Sequence, residues 1–109
     1  MKVSELVDKL DLKILTTPDY SDREVTGCYI GDLLSWVMGR ATSGEAWITI
    51  MNNINIVAVA ELTDVSCIIL CEDVSVGEEI ITKADSEGII ILKSEKTAYQ
   101  LAVGIGGIE

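Results

Sequence analysis

The side chains able to do chemistry are few in this 109-residue chain, and they are poorly placed to cooperate. There is no histidine, which removes the commonest general base and most zinc and copper sites. Three cysteines are present, Cys28, Cys67 and Cys71. Their spacing forms no CxxC unit, and one chain offers no fourth thiolate for a zinc or iron–sulfur site. Cys67 and Cys71 fall on one expected strand, where a four-residue separation is about 13 Å. A disulfide needs at most about 7 Å. These thiols are therefore expected to be small buried hydrophobes, and reduced thiols agree with a cytoplasmic setting. The acids are numerous, yet no pair is spaced for general acid–base work. Gly27-x-x-x-Gly31 lacks the Lys-Ser/Thr ending of a phosphate loop. Gly104-x-Gly106-Gly107 has no helix after it to point at a phosphate. No catalytic residue, metal site or cofactor is assigned.

The formal net charge is −10, with 18 acids and 8 bases. Such a chain is repelled by nucleic acid and by anionic membranes, so neither is an expected partner. No apolar run approaches the roughly 20 residues of a membrane span. Hydrophobic residues make up 49% and charged residues 24%, which predicts one packed domain over residues 1–109. Trp36 and Trp47 read as core or interface anchors.

The elements that must position these residues follow from periodicity and punctuation. Ser4 is expected to cap a helix over Glu5–Leu10, with Leu6, Val7 and Leu10 on one side. Lys13–Thr16 reads as a short strand. Pro18, Asp19, Ser21 and Asp22 supply turn chemistry. Val25–Ile30 is a second extended piece. Asp32 is expected to cap a helix over Leu33–Met38 that Gly39 stops. Ala46–Ile50 is a strand. Ile54–Leu62 fits both an alternating strand and a helix face of Ile54, Val57, Ala58 and Leu62. The helix is preferred, because a strand directly after AWITI would lack a turn, and Asn52 or Asn53 can cap it. Cys67–Cys71 is an apolar run typical of a strand buried on both faces. Ser75-x-x-Glu78 has the form of a capping box, followed by a buried stripe of Val76, Ile80 and Ala84 that ends at Gly88. Ile89–Leu92 is another buried strand. Ser94 is expected to cap a last helix with Ala98, Leu101, Ala102 and Ile105 inward, frayed by Gly104–Gly107.

Short apolar strands alternating with helices imply a parallel sheet covered on both faces, an α/β fold in three layers, α/β/α. In such sheets a ligand crevice lies at the carboxyl ends of the strands. Met51-Asn52-Asn53, Cys71-Glu72-Asp73 and Lys93-Ser94 would line it.

The segment Asp22–Gly39, DREVTGCYIGDLLSWVMG, resembles the stand-alone bacterial DRTGG-domain proteins. AWITI, Asn53-x-Asn55-x-Val57-Ala58-x-Ala60, CIIL, and Ala84 through Tyr99 continue the resemblance over nearly the whole chain. It implies a mainly parallel three-layer α/β/α fold similar to the N-terminal domain of HPr kinase/phosphorylase. It also implies a regulatory or ligand-sensing module, with HPr-kinase-like or iron–sulfur proteins as companions. Gly27, Gly31, Asp32 and Ser35 carry the resemblance. Where fused relatives place Gly-Asp-Arg and Thr-Gly-Gly, this chain has Met51-Asn52-Asn53 and Cys71-Glu72-Asp73. An arginine and a glycine-rich turn would suit an anion, and neither stands here.

Two functions follow as expectations. One is a non-catalytic regulatory or interaction module that acts as a homodimer, the commonest closed assembly. The other is a sensor for a small polar metabolite or nucleotide, held near Gly27, Gly31, Asp32, Ser35, Asn52 and Asn53. A thiol enzyme built on Cys28 is disfavoured, because only Arg23 supplies a nearby cation.

Overall fold

The computed structural model describes residues 1–20 and 22–108. In chain order the elements are α1 (Val3–Leu10), β1 (Lys13–Ile14), β2 (Gly27–Ile30), α2 (Leu34–Arg40), β3 (Glu45–Thr49), α3 (Asn55–Thr63), β4 (Cys67–Leu70), α4 (Glu78–Glu87), β5 (Ile91–Lys93) and α5 (Ala98–Ile108). The five strands form one sheet in the order β1-β5-β4-β3-β2. β2, β3, β4 and β5 run parallel, and β1 joins β5 antiparallel. The first two strands therefore close opposite edges, an order that local sequence does not encode.

Alternation along the central strands separates two buried clusters. Ala46, Ile48, Cys67, Ile69 and Leu92 face α1 and α5, meeting Leu6, Leu10, Leu101 and Ile105. Trp47, Ile68, Leu70 and Ile91 face the other way, meeting Val37 of α2, Ile56 and Val57 of α3, and Ile80 and Ala84 of α4. Strands buried on both faces need no polar alternation, which is why CIIL is wholly apolar. No helix among the described residues is long and apolar enough to cross a membrane.

Most expected elements are present, but several expected caps are not. Lys2, not Ser4, precedes α1, and its N–H donates to Glu5 Oε1 at 3.0 Å. Leu33, not Asp32, is the N-cap of α2, and the helix runs through Gly39 to Arg40. The residue before α3 is Ile54, while Asn53 Oδ1 accepts from the Asn55 N–H at 2.9 Å. Its buried face is Ile56, Val57, Val59 and Ala60, whereas Ile54, Ala58 and Leu62 are exposed. Ser75 and Glu78 form no capping box, because α4 starts after Gly77. The Ser75 oxygens accept instead from Asn52 Nδ2 and Lys93 Nζ. At α5 the box belongs to Thr97 and Gln100, whose side-chain oxygens each accept the other's N–H, at 3.2 and 3.0 Å. Ser94 Oγ accepts from the Lys96 N–H in the preceding turn.

α5 does not fray at its glycines but continues to Ile108. Gly104 is where α5 meets α1: an added Cβ would fall 2.4 Å from Leu10 Cδ2. Leu101 and Ile105 are buried as expected, whereas Ala98 and Ala102 are only half-buried. The strand expected over Lys13–Thr16 is shorter, Lys13–Ile14, although the Leu15 N–H still donates to the Ile91 C=O and Thr16 Oγ1 accepts the Ile91 N–H, both at 3.0 Å. The turn bond expected of Ser21 lies outside the described residues. Trp47 is fully buried, but Trp36 is 53% exposed, with the Arg40 guanidinium 3.9 Å above its ring.

Candidate functional site

The carboxyl ends of the four parallel strands deliver their loops to one edge of the sheet. Asp32, just after β2, turns toward the end of β3. Its Oδ1 accepts from Thr49 Oγ1 at 2.8 Å and from the Ile50 N–H at 2.9 Å. Thr49 Oγ1 in turn accepts the Met51 N–H at 3.1 Å. Asp32 does not cap α2; its carboxylate instead ties two crossover loops together. Gly31 has a related part, which sequence reasoning missed. Its C=O accepts from Trp47 Nε1 at 2.9 Å. An added Cβ there would lie 2.8 Å from the Tyr29 ring. Asn52 reaches the next loop, donating from Nδ2 to the Ser75 C=O at 2.9 Å.

Gly31, Asp32, Asn52 and Asn53 thus lie on loops of the same edge, with Ser35 exposed in the first turn of α2. Gly27 does not join them. It opens β2, at the opposite end of that strand.

A cleft of about 340 Å³ opens farther along the edge, at the ends of β4 and β5. Lys13, Lys93 and Lys96 line it together with Asp11, Asp73, Ser94 and Glu95. Lys93 Nζ is 3.2 Å from Asp73 Oδ1 and donates to Ser75 Oγ at 3.3 Å. Lys96 Nζ donates to the Leu10 C=O at 3.0 Å. Lys13 stands directly across the ladder from Lys93. Like charges in that position repel, which the surrounding carboxylates offset. Only the strand register brings Lys13 here, so the sequence alone gave no signal for it.

The turn bordering this cleft carries unusual backbone. Glu72 and Asp73 adopt φ of 55° and 60°, successive left-handed residues. Each non-glycine residue in that region costs roughly 1–2 kcal/mol. Their N–H groups donate to the Lys96 and Ser94 C=O groups, both at 2.9 Å, which holds the turn against β5. A Gly-Gly pair would fit this turn without that cost.

Burial pushes the Cys67 thiol up to about 12 and raises that of Cys71, whose neighbours Glu72 and Asp32 add to the effect. Both therefore stay protonated and poorly nucleophilic. None of the three cysteines forms a disulfide among the described residues, and Cys28 is half-buried. Among the described residues no group of three or more histidine, cysteine or acidic side chains is arranged to hold a metal ion.

Comparison with known proteins bears on family and fold. No curated protein matches the chain. A crystal structure of the CBS and DRTGG domains of the regulatory region of Clostridium perfringens pyrophosphatase, complexed with the activator diadenosine tetraphosphate, shares the fold at a TM-score of 0.72 and 14% identity. The likeness covers 95% of this chain but only 45% of that one, so this chain spans less than half of its length. The DRTGG domain model matches residues 5–107, and the chain belongs to the DRTGG domain family.

Proposed function

We propose that this protein is a non-catalytic regulatory and interaction module of the cytoplasm that works as a homodimer. The observation that carries this reading is the family match itself, a DRTGG domain over residues 5–107. The same fold occurs in a regulatory region that binds a nucleotide activator. The carboxyl edge supports the reading as well. Asp32 and Asn52 hold loops to one another, Asn53 accepts from the Asn55 N–H at the start of α3, and the buried thiols are kept from ionising. In the same reading, helices on both sheet faces make a three-layer α/β/α domain similar to the N-terminal domain of HPr kinase/phosphorylase. Its companions are HPr-kinase-like or iron–sulfur proteins. Capture with the tagged protein from its native extract tests this. Enrichment of such a protein supports an adaptor or regulator, whereas chemical turnover by the purified chain would contradict it. Light scattering tests the dimer, and a monomer at every working concentration removes that part.

A second reading, a sensor, is favoured by one observation: three of the eight basic side chains converge on a cleft in a chain of net charge −10. A small polar metabolite or nucleotide would bind at the carboxyl edge. It would lie either in that cleft or beside Gly31, Asp32, Ser35, Asn52 and Asn53, with Gly27 acting only from the far end of β2. A thermal-shift series with nucleotides, acyl phosphates and divalent cations tests this. A ligand at about 100 times its Kd adds roughly 2.7 kcal/mol of stability. Lys93→Met removes the gain if the cleft is the site, and Asn53→Ala removes it if the loops are. A flat response rejects the sensor.

A further inference from the structure

β2 closes one side of the sheet, and no strand among the described residues pairs with its outer edge. The Thr26 N–H donates inward to the Gly44 C=O at 2.9 Å. Alternation therefore turns the N–H and C=O of Gly27 and Tyr29 outward. Just before β2 that outer side is occupied: the Val25 N–H donates to the Met1 C=O, and Lys2 bridges to Glu24. The cover ends there, and no described strand meets the outward groups of Gly27 and Tyr29. An unpaired edge of this kind is ordinarily blunted by lysine, proline or a bulge. β2 has the sequence GCYI, with neither charge nor proline.

The helices beside this edge carry little charge. α2 lies on one sheet face and α5 on the other, where α5 packs against β2 and β3. Among the residues of β2, α2 and α5, Arg40 is the one charged side chain, in a chain that is 24% charged. Ile30, Leu33, Trp36 and Tyr99 are exposed by 48%, 59%, 53% and 76%. Helical geometry places Tyr99, Ala102 and Gly106 on the flank of α5 opposite Gly104, which faces α1.

We propose that two copies of this chain pair through β2, antiparallel about a two-fold axis, with α2 and α5 of each copy packing beside the strands. This rests on the homodimer reading above and names its surface. The occupant is a second copy for two reasons. An antiparallel pair about a two-fold axis is self-complementary, since each strand offers the other the same outward N–H and C=O groups. Two chains of net charge −10 repel wherever their charged surfaces meet, and β2, α2 and α5 bring only Arg40 to the contact, with Lys2, Asp22, Glu24 and Asp32 confined to the ends of the strand. A standard interface takes about 800 Å² per copy, roughly a seventh of the chain's 5600 Å² surface. A strand edge with a helix on each side is a surface of suitable extent.

Light scattering on the full chain and on Trp36→Glu, Tyr99→Glu and the double variant tests the surface. Leu62→Glu serves as control, since Leu62 is 68% exposed on α3, away from β2. A dimer in the native chain and in L62E, with each of the other single substitutions raising the dissociation constant at least about tenfold, is the expected result. Hydrogen exchange on the unaltered protein gives a second readout that does not depend on variants folding. The Gly27 and Tyr29 amides should lose protection on dilution through the dissociation constant. Unchanged dimers in W36E and Y99E, or no change at those amides, would overturn the surface and leave the dimer standing. A native chain that is monomeric throughout would overturn the dimer reading itself.

Discussion

The two edges of the sheet are built on different terms. β1 is two residues long, runs antiparallel, and begins with a lysine opposite another lysine. Asp11, Asp73, Glu95 and Lys96 crowd the cleft beside it. A neighbouring strand could gain little hydrogen bonding there and would have to strip water from several charges. β2 is four residues long, uncharged, and flanked by exposed apolar side chains. The chain has charge to spare, so its absence around β2 is not a matter of composition. A sheet needs protection only where contact is unwanted, and the contrast identifies β2 as the edge left available.

This comparison can be sharpened by changing what holds each end of the β2 side. The largest effect is expected from Asp32→Ala, which removes the acceptor shared by Thr49 Oγ1 and the Ile50 N–H. Hydrogen bonds to a charged group contribute about 1.5–3 kcal/mol, and partial exposure places the loss toward the lower end. Urea denaturation should show it, with Asp32→Asn recovering most of the loss because an acceptor oxygen remains. If D32A proves as stable as the native chain, the carboxylate does not hold the β2 and β3 loops together.

Next come two glycines of α5. Gly104→Ala places a methyl 2.4 Å from Leu10 Cδ2, in the buried contact between α5 and α1. The clash outweighs the better helix propensity of alanine and leaves a net loss of about 1 kcal/mol. Gly106→Ala meets nothing within 4 Å and should gain up to about 1 kcal/mol in the monomer. On the proposed surface that same methyl should loosen the dimer, so stability and assembly would move in opposite directions. Equal stability changes for the two alanines would contradict the close α1–α5 contact.

The smallest effect is electrostatic. The Ser43 hydroxyl donates to Asp64 Oδ2 at 2.6 Å and, with Arg23 beside it, holds the Asp64 carboxyl below its ordinary value of 3.8. A depressed carboxyl stabilises the fold above its unfolded value, and that contribution disappears as pH falls through its folded value. The loss should therefore come below about pH 4. Asp64 is 68% exposed and its partner Arg23 40%, so the pair contributes only a few tenths of a kcal/mol. Ser43→Ala should flatten the acid limb of the stability profile by that amount, and an unchanged limb would show that Asp64 is not held this way.

The fold was largely legible because its strands are short apolar runs and its helices are separated by loops rich in glycine, asparagine and aspartate. CIIL and IIIL can hardly be placed anywhere but inside. Even the ambiguous Ile54–Leu62 resolved to a helix through turn chemistry, although its buried face lay about half a turn from the one expected. The caps were less legible, because a capping residue is recognised by type while its side chain answers to tertiary partners. Asp32, Ser75 and Ser94 all have capping side chains, and all are engaged elsewhere. Thr97 and Gln100 carried the true signal at α5 in the right spacing. The candidate site was legible only in part. Asp32, Asn52 and Asn53 do reach the carboxyl edge, but the lysine-lined cleft depends on β1 adding beside β5, and strand order is a long-range property.

The most direct test uses one matched pair of residues. Ile14 on β1 and Ile30 on β2 are exposed to similar degrees, 38% and 48%, at opposite edges of the sheet. Light scattering on Ile14→Lys and Ile30→Lys at one concentration compares the two edges directly. Dimers for the native chain and I14K, with I30K a folded monomer, are the predicted result. Dissociation by I14K, or an I30K dimer as tight as the native one, would contradict the assignment of β2 as the open edge.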